Sequence, residues 1–104
     1  MHAQIITYKL NGISNAEYAA RMVEPDAPIL AEVAALHSKV WLANPETNTF
    51  GGFYLWHSRA DMEAFMASEL VAKVVSRPFL SDIEVQDFEV PEAPSRITRG
   101  LAAD

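Results

Sequence analysis

The sequence contains no cysteine among its 104 residues, which excludes disulfide bonds, thiolate catalysis and thiolate metal sites. It also has no apolar run near the ~18 residues that a membrane-spanning helix needs. The first residues, Met1 to Gln4, lack the basic stretch and apolar core that open a signal peptide. We therefore predict a cytoplasmic protein without a membrane partner.

Basic residues are scarce, since eight Lys and Arg stand against fourteen Asp and Glu, and the net charge is −6. They form no cluster, and a protein that binds the phosphate backbone needs a basic face, so we expect no nucleic-acid partner. Half of the residues are hydrophobic, enough to build a core in a chain of ordinary domain size. We predict one domain over residues 1–104, in which residues 91–104 form a C-terminal tail.

Several motifs that carry chemistry are absent. The three histidines have no metal-ligand spacing, and Gly51-Gly52 lacks the rest of a phosphate-binding loop, so we assign this pair to close backbone packing or a bulge. There is no Gly-x-Ser-x-Gly motif and no dinucleotide fingerprint. We therefore predict that the protein holds neither a metal nor a flavin nor any other cofactor, and we argue against a hydrolase, a kinase or a dinucleotide enzyme.

Four segments have the residue pattern of β-strands. Two of them flank a polar turn, which predicts a β-hairpin. The apolar residues of the last segment change phase, and we interpret this change as a β-bulge near Gln86-Asp87. The predicted strands are Gln4–Leu10, Lys39–Leu42, Phe53–Trp56 and Asp82–Val90, with the turn at residues 44–48.

Helical patterns separate the first strand from the second and the third from the fourth. Ser14 begins the first helix with a capping box that includes the glutamate three residues on. Pro25 predicts a kink or a split in this helix, with Asp26 as a new N-cap and an end near Leu36. Ser58 is the candidate N-cap of the second helix. The resulting order, β-α-β-β-α-β, predicts an α+β fold of the ferredoxin-like kind with an antiparallel sheet.

The predicted strands are apolar on both alternating faces. Two helical segments can cover only one face of a sheet, so the other face must meet another surface. We therefore predict a homodimer.

The hairpin also carries a recognisable motif. It contains Lys39-x-Trp41, a polar turn, and Gly-Gly-x-Tyr-Leu over residues 51–55, and Asn11-Gly12 and Phe88-Glu89-Val90 fit the same pattern. In these residues the chain resembles the YdhR-like monooxygenases of the dimeric α+β-barrel superfamily, which are related to the antibiotic-biosynthesis monooxygenases. The resemblance extends over almost the whole chain.

This resemblance implies a dimeric α+β barrel, in which two ferredoxin-like sheets face each other and the helices lie outside. It also implies a cofactor-independent monooxygenase that acts on a small flat aromatic or quinol-like molecule. The same barrel hosts polyketide cyclases, isomerases and haem enzymes, so the fold alone does not determine the reaction.

Lys39 lies on an otherwise apolar strand and permits two interpretations. In the first interpretation, its aliphatic stem packs at the sheet edge while the ammonium reaches solvent. In the second, the ammonium stabilises a phenolate or enolate that then donates an electron to O₂. Trp41, Tyr54 and Trp56 on the adjacent strands likewise serve core and interface packing, or they form a slot for a flat ligand.

His37 precedes the second strand and His57 follows the third, so an antiparallel hairpin brings them together away from its turn. One interpretation is that both are surface residues without a catalytic role. The other is that one of them is a general base, because an imidazole titrates near pH ~6.5. The candidate catalytic residues are His37, His57, Lys39 and Tyr54. The candidate substrate-binding residues, in a pocket between the hairpin and the helices, are Trp41, Trp56, Tyr18, Met22, Phe65 and Met66.

Three functional hypotheses follow from these residues. The first is the cofactor-independent monooxygenase. The second is a cyclase or isomerase that enolises a polyketide-like ketone without O₂, and the third is a non-catalytic protein that binds a small ligand. Oxygen consumption separates the first hypothesis from the second, and a ligand released unchanged supports the third.

Overall fold

The computed structural model describes residues 1–101, which form one antiparallel four-stranded sheet with the two helical segments between its strands packed on one face. The strands lie in the order β2-β3-β1-β4, so the second and fourth strands are the sheet edges. The predicted β-α-β-β-α-β order and the ferredoxin-like sheet are confirmed. The strands are β1 (His2–Leu10), β2 (Leu36–Asn44), β3 (Thr49–Trp56) and β4 (Leu80–Glu89).

The first helical segment begins at the predicted capping box, where Ser14 Oγ accepts the backbone N–H of Glu17 at 3.1 Å. It comprises α1 (Asn15–Tyr18), a π-helical turn (Ala19–Val23) and α2 (Glu24–Ala31). In the π-turn the N–H of Glu24 bonds to the carbonyl of Ala19. We infer that this wider turn accommodates Pro25, which has no N–H to donate.

Two details of this helix were predicted wrongly. Asp26 is not an N-cap, because the backbone is already helical at Val23, and the buried Asp26 carboxylate bonds to Arg77 instead. The helix also ends at Ala31, so Leu36 is the first residue of β2.

The second helical segment begins with Ser58 Oγ accepting the N–H of Asp61, as predicted. It divides into α3 (Arg59–Met66) and α4 (Glu69–Val75), because Ser68 caps the second part in the same way. The tail contains α5 (Glu92–Ile97), after which Leu101 packs against Ala3 and Leu55 of the sheet.

The β-bulge does not lie where the phase change suggested. The β1–β4 register shifts around Asp82, whose φ is 51°, while pairing continues without interruption through Gln86-Asp87. Val85 and Phe88 differ in phase because they point to opposite faces of a regular strand.

Alternation divides the sheet into two faces. One is covered by the helices, and Tyr8, Phe50 and Trp56 are buried on it. The opposite face, here called the open face, includes Val40 and Phe88, which are 56 % and 49 % exposed. None of the helices within residues 1–101 has the length and apolar character needed to span a membrane.

Candidate functional site

A cavity lies between the helix-covered face of the sheet and the helices above it. Including its open mouth, the space inside it is about 660 Å³. Most of its lining is apolar, and Asp26 and Lys39 bring the charged groups. The side chains that line it from the sheet are Ile6, Tyr8, Lys39, Trp41, Tyr54, Leu80, Ile83 and Val85, and those from the helical segments include Met22, Asp26, Leu30, Phe65, Met66, Leu70 and Val74.

Lys39 and Trp41 alternate with Val40 on β2 and therefore share the helix-covered face with Tyr54, which pairs with Lys39 across β2–β3. The ammonium nitrogen Nζ of Lys39 lies 3.3 Å from the Trp41 ring centroid and 4.6 Å from that of Tyr54. Within residues 1–101 this nitrogen has no hydrogen bond or ion pair of its own. The two aromatic faces are thus the immediate surroundings of the amine.

Burial lowers the pKa of the Lys39 ammonium from its ordinary value to about 7, against a smaller opposing effect of the Asp26 carboxylate. The physical cause is desolvation, because an apolar cavity favours the neutral amine over the ammonium. The neutral amine is therefore far more populated near neutral pH than in an ordinary exposed lysine. An amine in this state can accept a proton, and the ammonium it becomes can stabilise the anion that it has generated.

Gly52 makes room for the Lys39 side chain. It lies opposite Trp41 in the β2–β3 register, and a β-carbon built on it would come within 2.5 Å of Lys39 Cε. Gly52 is therefore part of the site, a role that the sequence pattern did not indicate. Gly51 serves close backbone packing as predicted, because a β-carbon on it would collide with the backbone of Ile6 and Thr7 on β1.

The Asp26 carboxylate lines the same cavity and is anchored from outside it. Both of its oxygens accept hydrogen bonds from the Arg77 guanidinium, at 2.8 and 3.0 Å, and only 9 % of the Asp26 side chain is exposed. This paired geometry holds α2 against the turn that follows α4. Sequence reasoning missed the pair because 51 residues separate its members.

Three tyrosines lie at the cavity or next to it, since Tyr8 and Tyr54 line it and Tyr18 contacts Tyr8. The oxygens of Tyr8 and Tyr18 share a hydrogen bond at 2.5 Å. Burial, which is the largest cause for both, raises the pKa of each phenol above its ordinary value. Burial also raises the pKa of Tyr54, so that all three remain hydrogen-bond donors at neutral pH.

The structure brings most of the proposed site residues together but not all of them. Lys39, Trp41, Tyr54, Met22, Phe65 and Met66 line the cavity. Trp56 and Tyr18 lie outside the lining. Trp56 is fully buried, and its ring stacks parallel to that of Tyr54 with the centroids 5.9 Å apart. The indole N–H of Trp56 donates to Gln4 Oε1 at 3.1 Å.

The two histidines lie beside each other, as the hairpin geometry predicted, with ring centroids 5.4 Å apart. Both are exposed. His37 borders a second, more open recess at the edge of β2, which shares Leu30, Lys39 and Trp41 with the main cavity. His57 lines neither space. Among residues 1–101 no three His, Asp or Glu side chains are grouped so that they could hold a metal ion.

The fold is that of the antibiotic-biosynthesis monooxygenases. A structure described as a "putative antibiotic biosynthesis monooxygenase" from Deinococcus radiodurans superposes with a TM-score of 0.72 at 15 % identity, covering 89 % of this chain and 95 % of its own. A mutant form of the cofactor-independent oxygenase SnoaB from Streptomyces nogalater gives 0.69 at 14 % identity, covering 88 % and 94 %. A hydroxynitrile lyase from Passiflora edulis gives 0.59 at 16 % identity, covering 88 % and 95 %.

Residues 4–101 match the family model described as "Putative mono-oxygenase ydhR", and the chain belongs to this family. A comparison with curated proteins gave no significant match. The solved structures are too distant in sequence to show more than the fold, and they include both an oxygenase and a lyase. The reaction must therefore be argued from the site itself.

Proposed function

We propose that this chain is a cofactor-independent monooxygenase that oxidises a small, flat, acidic aromatic molecule such as a polycyclic phenol or quinol. One observation carries the proposal: the Lys39 amine lies against two aromatic rings in an apolar cavity, without a hydrogen-bond or ion-pair partner within residues 1–101. A flat substrate would pack on the apolar walls and present its hydroxyl group to this amine.

Lys39 serves both as the base and as the counter-ion in this mechanism. Its neutral amine takes the phenol proton, and the ammonium that results pairs with the phenolate inside a low-dielectric cavity. The electron-rich anion then donates one electron to O₂, and the two radicals combine into a peroxide. One oxygen atom remains in the product as a new carbonyl and the other leaves as water. The substrate supplies the two hydrogen atoms of that water and all four electrons that reduce O₂.

The remaining candidates take supporting roles in this proposal. Tyr54, a phenol that stays protonated at neutral pH, is placed beside Lys39 and can donate to the substrate oxygen. Trp41 forms the wall on the other side of the amine. His37 borders the adjoining recess, and His57 contacts the His37 ring without lining either space. Neither histidine has a step in the proposed reaction.

We further propose that the protein is a homodimer that meets its partner through the open face. The support is the exposure of large apolar side chains there, including Val40, Leu42 and Phe88. Leu101 of the tail covers only the part of that face around Ala3 and Leu55. An apolar surface of this kind is typical of an association site. A dimer in sedimentation experiments at micromolar concentration is the expected result, and a stable monomer would contradict it.

The test of the reaction is oxygen uptake by the purified protein with a panel of naphthols and naphthalene diols, corrected for autoxidation without protein. Oxygen gas labelled with the heavy isotope should place one labelled atom in the product. Lys39→Met should remove the activity, whereas Lys73→Met, the same change at an exposed lysine of α4, should retain it. Product formation without oxygen uptake would support the cyclase or isomerase instead, and a ligand released unchanged would support the binding protein.

A further inference from the structure

The chain has three lysines, at positions 9, 39 and 73, and their amines lie in different environments. Lys9 Nζ donates to the Thr47 carbonyl at 3.0 Å and to Thr49 Oγ1 at 2.7 Å. Lys73 is exposed on α4. Lys39 alone among the three lines the cavity, and its nitrogen contacts aromatic faces rather than hydrogen-bond acceptors within the described residues.

We propose that Lys39 Nζ also condenses with the carbonyl carbon of an apolar aldehyde or ketone held in this cavity, forming an imine. The proposal uses the cavity of the proposed oxygenase but requires no oxygen, so either proposal can fail without the other.

The reaction balances without any further reagent. The nitrogen lone pair attacks the carbonyl carbon and forms the C–N bond, and the carbonyl oxygen takes up the two amine hydrogens and leaves as water. A C=N bond to Lys39 remains. The oxygen needs a proton before it can leave, and Tyr54, whose ring centroid lies 4.6 Å from the amine, carries a phenol that stays protonated at neutral pH and can donate to it.

Three features of the site favour this reaction. A lysine becomes a nucleophile when an apolar pocket holds it in the neutral form, and burial lowers the pKa of Lys39 to about 7. The apolar lining selects carbonyl compounds with apolar groups over charged ones. Gly52 leaves the space beside Lys39 Cε open, so the side chain lies along the cavity wall without a clash.

The experiment is reductive trapping of the full-length chain at pH 7 with 2-naphthaldehyde and cyanoborohydride, followed by peptide mass spectrometry. We expect Lys39 to be labelled at least about tenfold faster than Lys73, because a larger fraction of its amine is neutral. Lys9, Lys73 and the N-terminal amine, which is paired with Glu92, are internal controls in the same sample. Lys39→Arg should remove the fast adduct, and Lys73→Arg should not.

Glyoxylate, a charged aldehyde, is the matched probe. It should label the exposed amines but not Lys39 preferentially. Labelling of Lys39 that is no faster than that of Lys73 would overturn the proposal, and so would equal labelling of Lys39 by glyoxylate and 2-naphthaldehyde. Because the three lysines are compared within one folded protein, the result does not depend on the stability of a variant. A negative result here leaves the oxygen-uptake test unaffected.

Discussion

The two faces of the sheet are built from the same strands, yet they differ in almost every other respect. On the helix-covered face, Lys39, Trp41 and Tyr54 surround a cavity that contains a poorly solvated amine. On the open face, Val40 lies opposite Phe53 in the β2–β3 register, and over half of the Val40 side chain is exposed. Two consecutive residues of β2, Lys39 and Val40, therefore point to the candidate site and to the candidate association surface.

This arrangement follows from the period of a β-strand, in which successive side chains point to opposite faces. A shift of one residue in register would move Lys39 to the open face and Val40 into the cavity. The hairpin therefore positions both the candidate site and the candidate association surface. Substitutions at neighbouring positions should therefore affect one of them without the other.

The largest effect is expected from Lys39→Met, which removes the proposed base and leaves an apolar side chain of similar length. Turnover should fall by about 10²–10⁴-fold, the usual contribution of a general base, while the dimer stays intact. In the wild-type protein kcat/KM should rise with pH through about 7 and then level off, because the neutral amine is the active form. The measurement is oxygen uptake between pH 6 and 9. Equal turnover in Lys39→Met and Lys73→Met would remove Lys39 from the mechanism.

The second prediction concerns the anchor of the helix-covered face. Asp26→Asn leaves the Arg77 guanidinium, largely withdrawn from solvent, without its carboxylate partner. The free energy of unfolding in urea should fall by about 2–4 kcal/mol, somewhat below the cost of breaking a fully buried pair. Glu63→Gln is the matched control, because it breaks the exposed Arg59–Glu63 pair, which should cost only about 0–0.5 kcal/mol. Similar losses in the two variants would show that Asp26 does not anchor α2.

The third prediction tests the open face. Val40→Asp should weaken the dimer by about 10–100-fold, because a carboxylate would have to be desolvated at the interface. The monomer should keep its fold, since Val40 is already exposed within one chain. Ala72→Asp is the control, because Ala72 is exposed on α4, which lies on the helix-covered side of the sheet. Sedimentation across a concentration series measures both, and an unchanged dimer in Val40→Asp would place the interface elsewhere.

Local patterns in the sequence predicted most of the fold. Ser14 and Ser58 marked true helix starts, and the polar turn between β2 and β3 marked the hairpin. These signals depend on residues within a few positions of each other, so a single sequence contains them. The α5 helix was missed because its six residues are too few for helical periodicity.

The candidate site was predictable only in part, and for the same physical reason. Lys39 attracted attention because a lysine on an apolar strand is unusual, and alternation correctly grouped it with Trp41. The place of Asp26 at the site could not be predicted in this way, because it depends on the ion pair with Arg77, a residue that only the tertiary fold brings near. His37 and His57 are neighbours as predicted, but the pattern could not indicate that both lie on the surface outside the main cavity.

The smallest expected effect links the cavity to stability. Burial lowers the pKa of Lys39 to about 7 in the folded chain, whereas an unfolded chain has the ordinary value of about 10.4. Between these two pH values the unfolded chain binds more protons at Lys39 than the folded chain does. The free energy of unfolding of the wild-type protein therefore increases as pH rises through this range. Below pH 7 the ammonium is held in the cavity at a cost, and above about pH 10 the cost vanishes because the amine is neutral in both states.

Lys39→Met should therefore stabilise the protein on the order of 1–2 kcal/mol at pH 6, after allowance for the partial exposure of the group, and the gain should shrink towards pH 9.5. Urea denaturation at a series of pH values measures the difference, with Lys73→Met as a control that should show no such trend. If Lys39→Met raised the free energy of unfolding equally at every pH, Lys39 would not be desolvated in the cavity. The helix-covered face would then not differ from the open face by holding a poorly solvated amine.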